Sequence, residues 1–219
     1  MTESNNDMKF RYIPMVLALH APALFAAPPV AELKVAGKID LPNCVVSIGN
    51  DGYYDYGSLS STMIQSGSRH TPLEPKTELM TVTCDRETPI MFSVVDNRES
   101  SSSGTDRDYN FGLGHVNGAG NLGYYAILVS DLSVDGKGTN VWMKAGGLHN
   151  PGVQDSTYLR SAGANFGWGD YQSVRESGRI FQANLTVEPR LGGTTTMNGP
   201  LTEAVDLDGS ATLVFAFAL

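Results

Sequence analysis

The chain alternates far more than it winds. Short runs with every second residue apolar recur along its length, and apolar spacings of three and four are nearly absent. AELKVAGKIDL puts Leu33, Val35, Gly37, Ile39 and Leu41 on one face, and NCVVSI follows it. A turn-rich stretch comes next, GNDGYYDYGSLSS. ELMTVTC then sets Met80, Val82 and Cys84 against Leu79, Thr81 and Thr83, and IMFSVVD repeats the alternation from Ile90 to Asp96. DRETP between them predicts a turn, and so a hairpin.

NLGYYAILVSDL, beginning at Asn121, predicts the central strand, with TNVWMKA as its hairpin partner across DGKG. RESSSSGTDRD is a polar loop, and the stretch from His149 to Tyr171 has no period and predicts a long connection. RIFQANLTVEP alternates again, and ATLVFAFAL closes the chain with Leu213, Phe215, Phe217 and Leu219 on one face. Short alternating runs separated by closely spaced turn signals predict an all-β sandwich in one domain.

The first residues change the picture. Lys9 and Arg11 precede the apolar run Ile13–Leu19, and the small residues Ala23, Ala26 and Ala27 follow. Basic, apolar, then small is the layout of a secretory signal peptide, placed over residues 1–26 with an approximate end, so the mature chain is expected outside the cytoplasm. A net charge of −8 without any basic cluster argues against nucleic acid and anionic membrane surfaces as partners. In an exported chain the two cysteines, Cys44 and Cys84, predict a disulfide. Zinc would need two further ligands at short spacing, and His20, His70, His115 and His149 are scattered.

Sites of chemistry are hard to find. GAGNLG has dinucleotide spacing, but the β-prone YYAILVS follows where a helix is required, so a glycine-rich hairpin loop is expected. DLDG resembles part of a calcium loop without its later glutamate and predicts a turn into the last strand. Asp131 and Asp135 flank a hairpin turn, where Asp is common. Asn184, Leu185 and Thr186 spell a glycosylation sequon inside a predicted strand. Phe166, Trp168 and Tyr171 form an aromatic group that fits a loop anchor better than a sugar platform. No catalytic residue, metal ligand or cofactor is expected, and the chain does not read as an enzyme.

The arrangement as a whole resembles a chaperone–usher pilus subunit. The features that carry the likeness are a signal peptide, the short alternating PPVAELKV, and GKIDLPNC, which is similar to the G-x-I-x-x-x-x-C opening the first strand of pilins. A second cysteine inside TVTC and an alternating apolar end complete them. Spacing within AELKVAGKIDLPNC, VTCDRETPI, VDNRESSS and FQANLTVEP also resembles the beta-fimbrial subunit group that carries the DUF1120 label. Two features depart from pilins: Ala218 stands where a Tyr is common, and Ala31 is the nearest substitute for a mid-strand Gly.

What the resemblance implies is an incomplete immunoglobulin-like β-sandwich, the pilin fold, lacking its last strand and completed by a donor strand. Residues 27–35 would be the donor segment and 36–219 the sandwich. Val30, Leu33 and Val35 would enter a neighbour's groove, and Leu213, Phe215, Phe217 and Leu219 would border the chain's own. The implied role is a structural subunit polymerising by donor-strand exchange into a fimbrium on the cell surface. The implied partners are other pilus subunits, a periplasmic chaperone and an outer-membrane usher. The free carboxylate of Leu219 would meet basic residues of that chaperone. The alternative is a fimbrial tip adhesin or lectin of the same fold.

Overall fold

The computed structural model describes residues 29–145, 148–149, 154–169 and 175–217. The expected signal peptide, the start of the donor segment, Tyr171, Ala218 and Leu219 lie outside the described residues. Two compact units divide the chain, Met1–Ile39 and Asp40–Leu219. In the first, residues 29–39 form no strand. Val30, Leu33 and Val35 there are 93%, 88% and 92% exposed. The strand expected over AELKVAGKIDL is therefore not formed: alternation fits a strand, but a strand persists only when a neighbour pairs with its backbone.

The second unit begins with β1 (Cys44–Ile48), β2 (Thr71–Pro72) and β3 (Lys76–Asp96). The short β4 (Phe111–Gly112), β5 (His115–Val116) and β6 (Gly120–Asn121) lead to β7 (Gly123–Val134). Then come β8 (Lys137–Gly138), β9 (Asn140–Ala145), β10 (Leu148–His149), β11 (Ser156–Tyr158) and β12 (Ala164–Gly169). β13 (Ser177–Leu191) and β14 (Ala211–Phe217) close the sequence. All the ladders between these strands are antiparallel.

β3 is 21 residues long and belongs to both layers. Its first half lies between β1 and β13, in the order β1-β3-β13-β7-β11. Its second half lies between β12 and β14, in the order β10-β9-β12-β3-β14. The hairpin expected at DRETP is absent: the two alternating runs are halves of one bent strand. Even-numbered residues point inward on both sides of the bend, though Arg86 at the bend is exposed, so Met80, Val82 and Cys84 reach the same core as Ile90, Phe92 and Val94. β13 follows the bend by slipping register between Gly178 and Ile180, a bulge that increases local twist.

Two other pairings differ from expectation. β7 is central, but its hairpin partner is only the two-residue β8, while β9 pairs with β12 and β10 in the opposite layer. The supposed long connection after His149 contains β11 and β12. Periodicity could not show them, because β12 is buried on both faces and reads ANFGWG without alternation. The polar loop after Asp96 is also more structured than it reads, with Ser101 and Ser102 buried. Ser101 Oγ donates to the Arg98 carbonyl at 2.8 Å and accepts from the Gly114 amide at 2.9 Å.

The result is an all-β, immunoglobulin-like sandwich. Its core centres on Trp168, Phe92, Phe166 and Phe181, with neighbouring ring centroids 5.3 to 5.8 Å apart. Trp168 Nε1 donates to the Gln182 carbonyl at 2.7 Å, which meets the polar demand of a fully buried indole. Cys44 and Cys84 form the expected disulfide directly across the β1–β3 ladder. Closing a loop of sequence separation 40 stabilises by about 4 kcal/mol on the chain-entropy estimate.

Candidate functional site

β14 alternates as its sequence requires, with Leu213, Phe215 and Phe217 turned toward the core and Thr212, Val214 and Ala216 exposed. One backbone edge pairs with β3, from Ala211 opposite Asp96 to Phe217 opposite Ile90. Among the described residues no strand pairs with its other edge. β1 likewise pairs only with β3. The inward residues of β14 touch the core without being covered by it. Phe215 lies 5.4 Å from Phe92 between ring centroids, yet it and its two companions stay half-buried.

Beside them opens a groove of about 700 Å³. Core side chains form its floor: Leu113, Leu122, Tyr125 and Ile127 on the β7 side, Leu185 and Val187 on β13. The end of β1 and the following stretch, Gly52–Ser61, supply one part of the wall. The stretch from Leu201 to Leu207 and the first residues of β14 supply another. Charged side chains lining the groove among the described residues are Asp55, Glu203 and Asp206, all acidic and all exposed.

Both wall stretches are fastened by specific contacts. Tyr54 and Tyr56 donate their hydroxyls to the Leu185 and Val187 carbonyls at 3.0 and 3.3 Å. Burial, then Glu78, lifts the Tyr54 phenol well above its ordinary range, and burial pushes Tyr56 up to about 12. Both are therefore neutral donors at any physiological pH. Lys76 adds a hydrogen bond to the Asp55 carbonyl and sits 5.1 Å over the Tyr56 ring. On the other wall, Arg98 makes a two-pronged pair with Asp208 at 2.8 and 3.0 Å, and the Asp208 amide donates to the Leu113 carbonyl. The Arg98 hydrogen bond holds the Asp208 carboxyl below the usual carboxylate range. Asp96 receives the amides of Arg98 and Gly112. Gly112 has no room for a side chain, since a Cβ would lie 1.9 Å from the Arg98 carbonyl oxygen.

The expected site residues fall in three places. Cys44 and Cys84 are joined, and Leu213, Phe215 and Phe217 line up on β14, with Leu213 and Ala211 in the groove wall. Val30, Leu33 and Val35 are exposed in the other unit. Phe166 and Trp168 lie wholly inside the core, so no sugar platform forms from them. GAGNLG lies across the β5–β6 turn and the start of β7, with positive φ at Asn117 and Gly118. The two wall stretches went unnoticed in the sequence. For the first of them the one signal is the tyrosine group Tyr53, Tyr54 and Tyr56 in a segment rich in turn formers.

A profile for the family described as "Protein of unknown function (DUF1120)" matches residues 33–126, a range that holds both cysteines, β1 and β3. No curated protein matches the chain.

Proposed function

We propose that the chain is a structural subunit of a chaperone–usher fimbria, and that the groove beside β14 receives a β-strand from a second copy. What carries the reading is the contrast within β14: an alternating apolar strand with one edge paired and its inward face half-bare beside a groove floored by core residues. Open edges of this kind favour pairing with another chain, and donor-strand complementation is one form of such strand addition. The profile match agrees with the DUF1120 likeness read from the sequence, over less than half of the chain.

The exposed apolar residues of 29–39 suit them to be the donor. Seating Leu33 and Val35 would contribute about 1.5–3 kcal/mol each before ordering costs are subtracted, while Val30, out of phase with them, would contribute less. A contact between unlike surfaces need not close on itself and can build an open filament. In this reading the subunit passes the periplasm with a chaperone strand in the groove and leaves through an outer-membrane usher.

The test is to move PPVAELKV from its own position to a place after Leu219, through a short flexible linker. The expected product is a monomer that melts cooperatively at a clearly higher temperature than the parent chain. Parent chain that is already monomeric and just as stable would overturn the proposal.

A further inference from the structure

The acidic lining of the groove has no counterpart on its floor. Asp55 stands on the stretch after β1, and Glu203 and Asp206 on the stretch before β14, with no basic side chain among the described lining residues. Lys76 is held against the Asp55 carbonyl and the Tyr56 ring, outside that lining. Asp55 Oδ1 also accepts the Gly57 amide at 2.7 Å, and the three carboxylates together place negative potential over an apolar slot. They favour an occupant that is apolar on one face and basic on the other.

The chain contains a segment of that kind. Residues 29–39 read PVAELKVAGKI, with two lysines and one glutamate in a protein whose net charge is −8. With Leu33 and Val35 turned into a groove, Lys34 and Lys38 fall on the opposite, outward face, and their long stems reach sideways to a rim. Lys34 now meets Glu32 at 3.5 Å, with both side chains more than three-quarters exposed. Such a pair is worth little and is readily exchanged.

We infer that Asp55, Glu203 and Asp206 recognise Lys34 and Lys38 of a second copy's N-terminal segment, so that the rim selects the donor and fixes its register while the apolar floor supplies affinity. This rests on the groove being a strand acceptor, and it adds which occupant is preferred and by what force. One-residue slips would turn the lysines inward and the leucine outward, so the charges penalise the wrong register as strongly as the apolar face does.

The experiment titrates a fluorescein-labelled peptide of residues 28–39 with the full chain and follows anisotropy. The expected result is binding that weakens several-fold as NaCl rises from about 50 to about 500 mM, because the pairs are exposed to salt. A peptide carrying Lys34→Gln and Lys38→Gln should bind about 10-fold more weakly and lose most of its salt dependence. The triple variant Asp55→Asn, Glu203→Gln, Asp206→Asn should do the same to the unaltered peptide. Because the lysine changes are in the peptide, that arm is independent of how the rim variant folds. Equal, salt-insensitive affinity of both peptides overturns the rim inference and leaves the acceptor groove standing. Failure of both peptides to bind at any concentration overturns both proposals.

Discussion

β13 and β14 lie against opposite edges of the same strand, β3, and both carry an alternating apolar face. On β13, Phe181, Ala183 and Leu185 are fully covered, because β7 continues the layer beyond it. On β14, Leu213, Phe215 and Phe217 remain half-bare, because the layer stops there among the described residues. At the inward positions the two strands are alike, Phe, Ala and Leu on β13 against Leu, Phe and Phe on β14. Alternation states which face a strand intends to bury, and the number of neighbours decides whether it succeeds.

The sharpest way to break the comparison is a matched pair of truncations. Phe181→Ala should cost about 3–5 kcal/mol in urea unfolding, the usual loss for an aromatic side chain deleted from a closed core. Phe215→Ala should cost less in the free chain, about 1–2 kcal/mol, since that ring is only partly buried. With the groove filled by a tethered donor segment, the cost at Phe215 should approach that at Phe181. Equal losses in the free chain would show that β14 is covered after all.

How much of this was legible in the sequence follows the same division. β13 was readable because buried Phe181, Ala183, Leu185 and Val187 alternate with Gln182, Asn184, Thr186 and Glu188, and β14 because Leu213, Phe215 and Phe217 alternate with smaller residues. β12 was hidden because both of its faces are buried, and Gly167 lies under the ring of Trp142 where no larger residue would announce a strand. DRETP looked like a turn because turn formers also occur where a long strand bends, and only the ladder to β13 distinguishes the two. The groove walls were invisible for another reason. Asp208 reaches Arg98 across 110 residues, and Tyr54 reaches Leu185 across 131, distances no local pattern encodes.

The disulfide sharpens the comparison on the β1 side. β1 has one neighbour and a covalent link, whereas β13 has three neighbours, β2, β3 and β7, and no such link. Replacing Cys44 and Cys84 together by Ala should lower unfolding free energy by about 4 kcal/mol at most. The loss should not be shared evenly. Amide exchange at Val45–Ile48 should accelerate far more than at Phe181–Leu185, and uniform acceleration would mean that β1 and β13 unfold as one unit.

The smallest effect concerns the covered side alone. His70, just before β2, hydrogen-bonds Ser103 Oγ at 2.9 Å and meets the Tyr124 ring edge-on at 5.1 Å between centroids. Burial, then the nearby Arg190, lowers its pKa from the ordinary histidine value. The unfolded chain therefore binds a proton more readily than the folded one between that lowered pKa and about 6.5, so stability is lost as pH falls through this window and is restored above it. His70→Gln keeps a side chain able to bond Ser103 but cannot take up the proton. Its unfolding midpoint should change less between pH 7 and pH 5 than that of the parent, and the difference should be the same with the groove empty or filled. A difference that vanished on filling the groove would tie the two flanks of β3 together and dissolve the distinction between them.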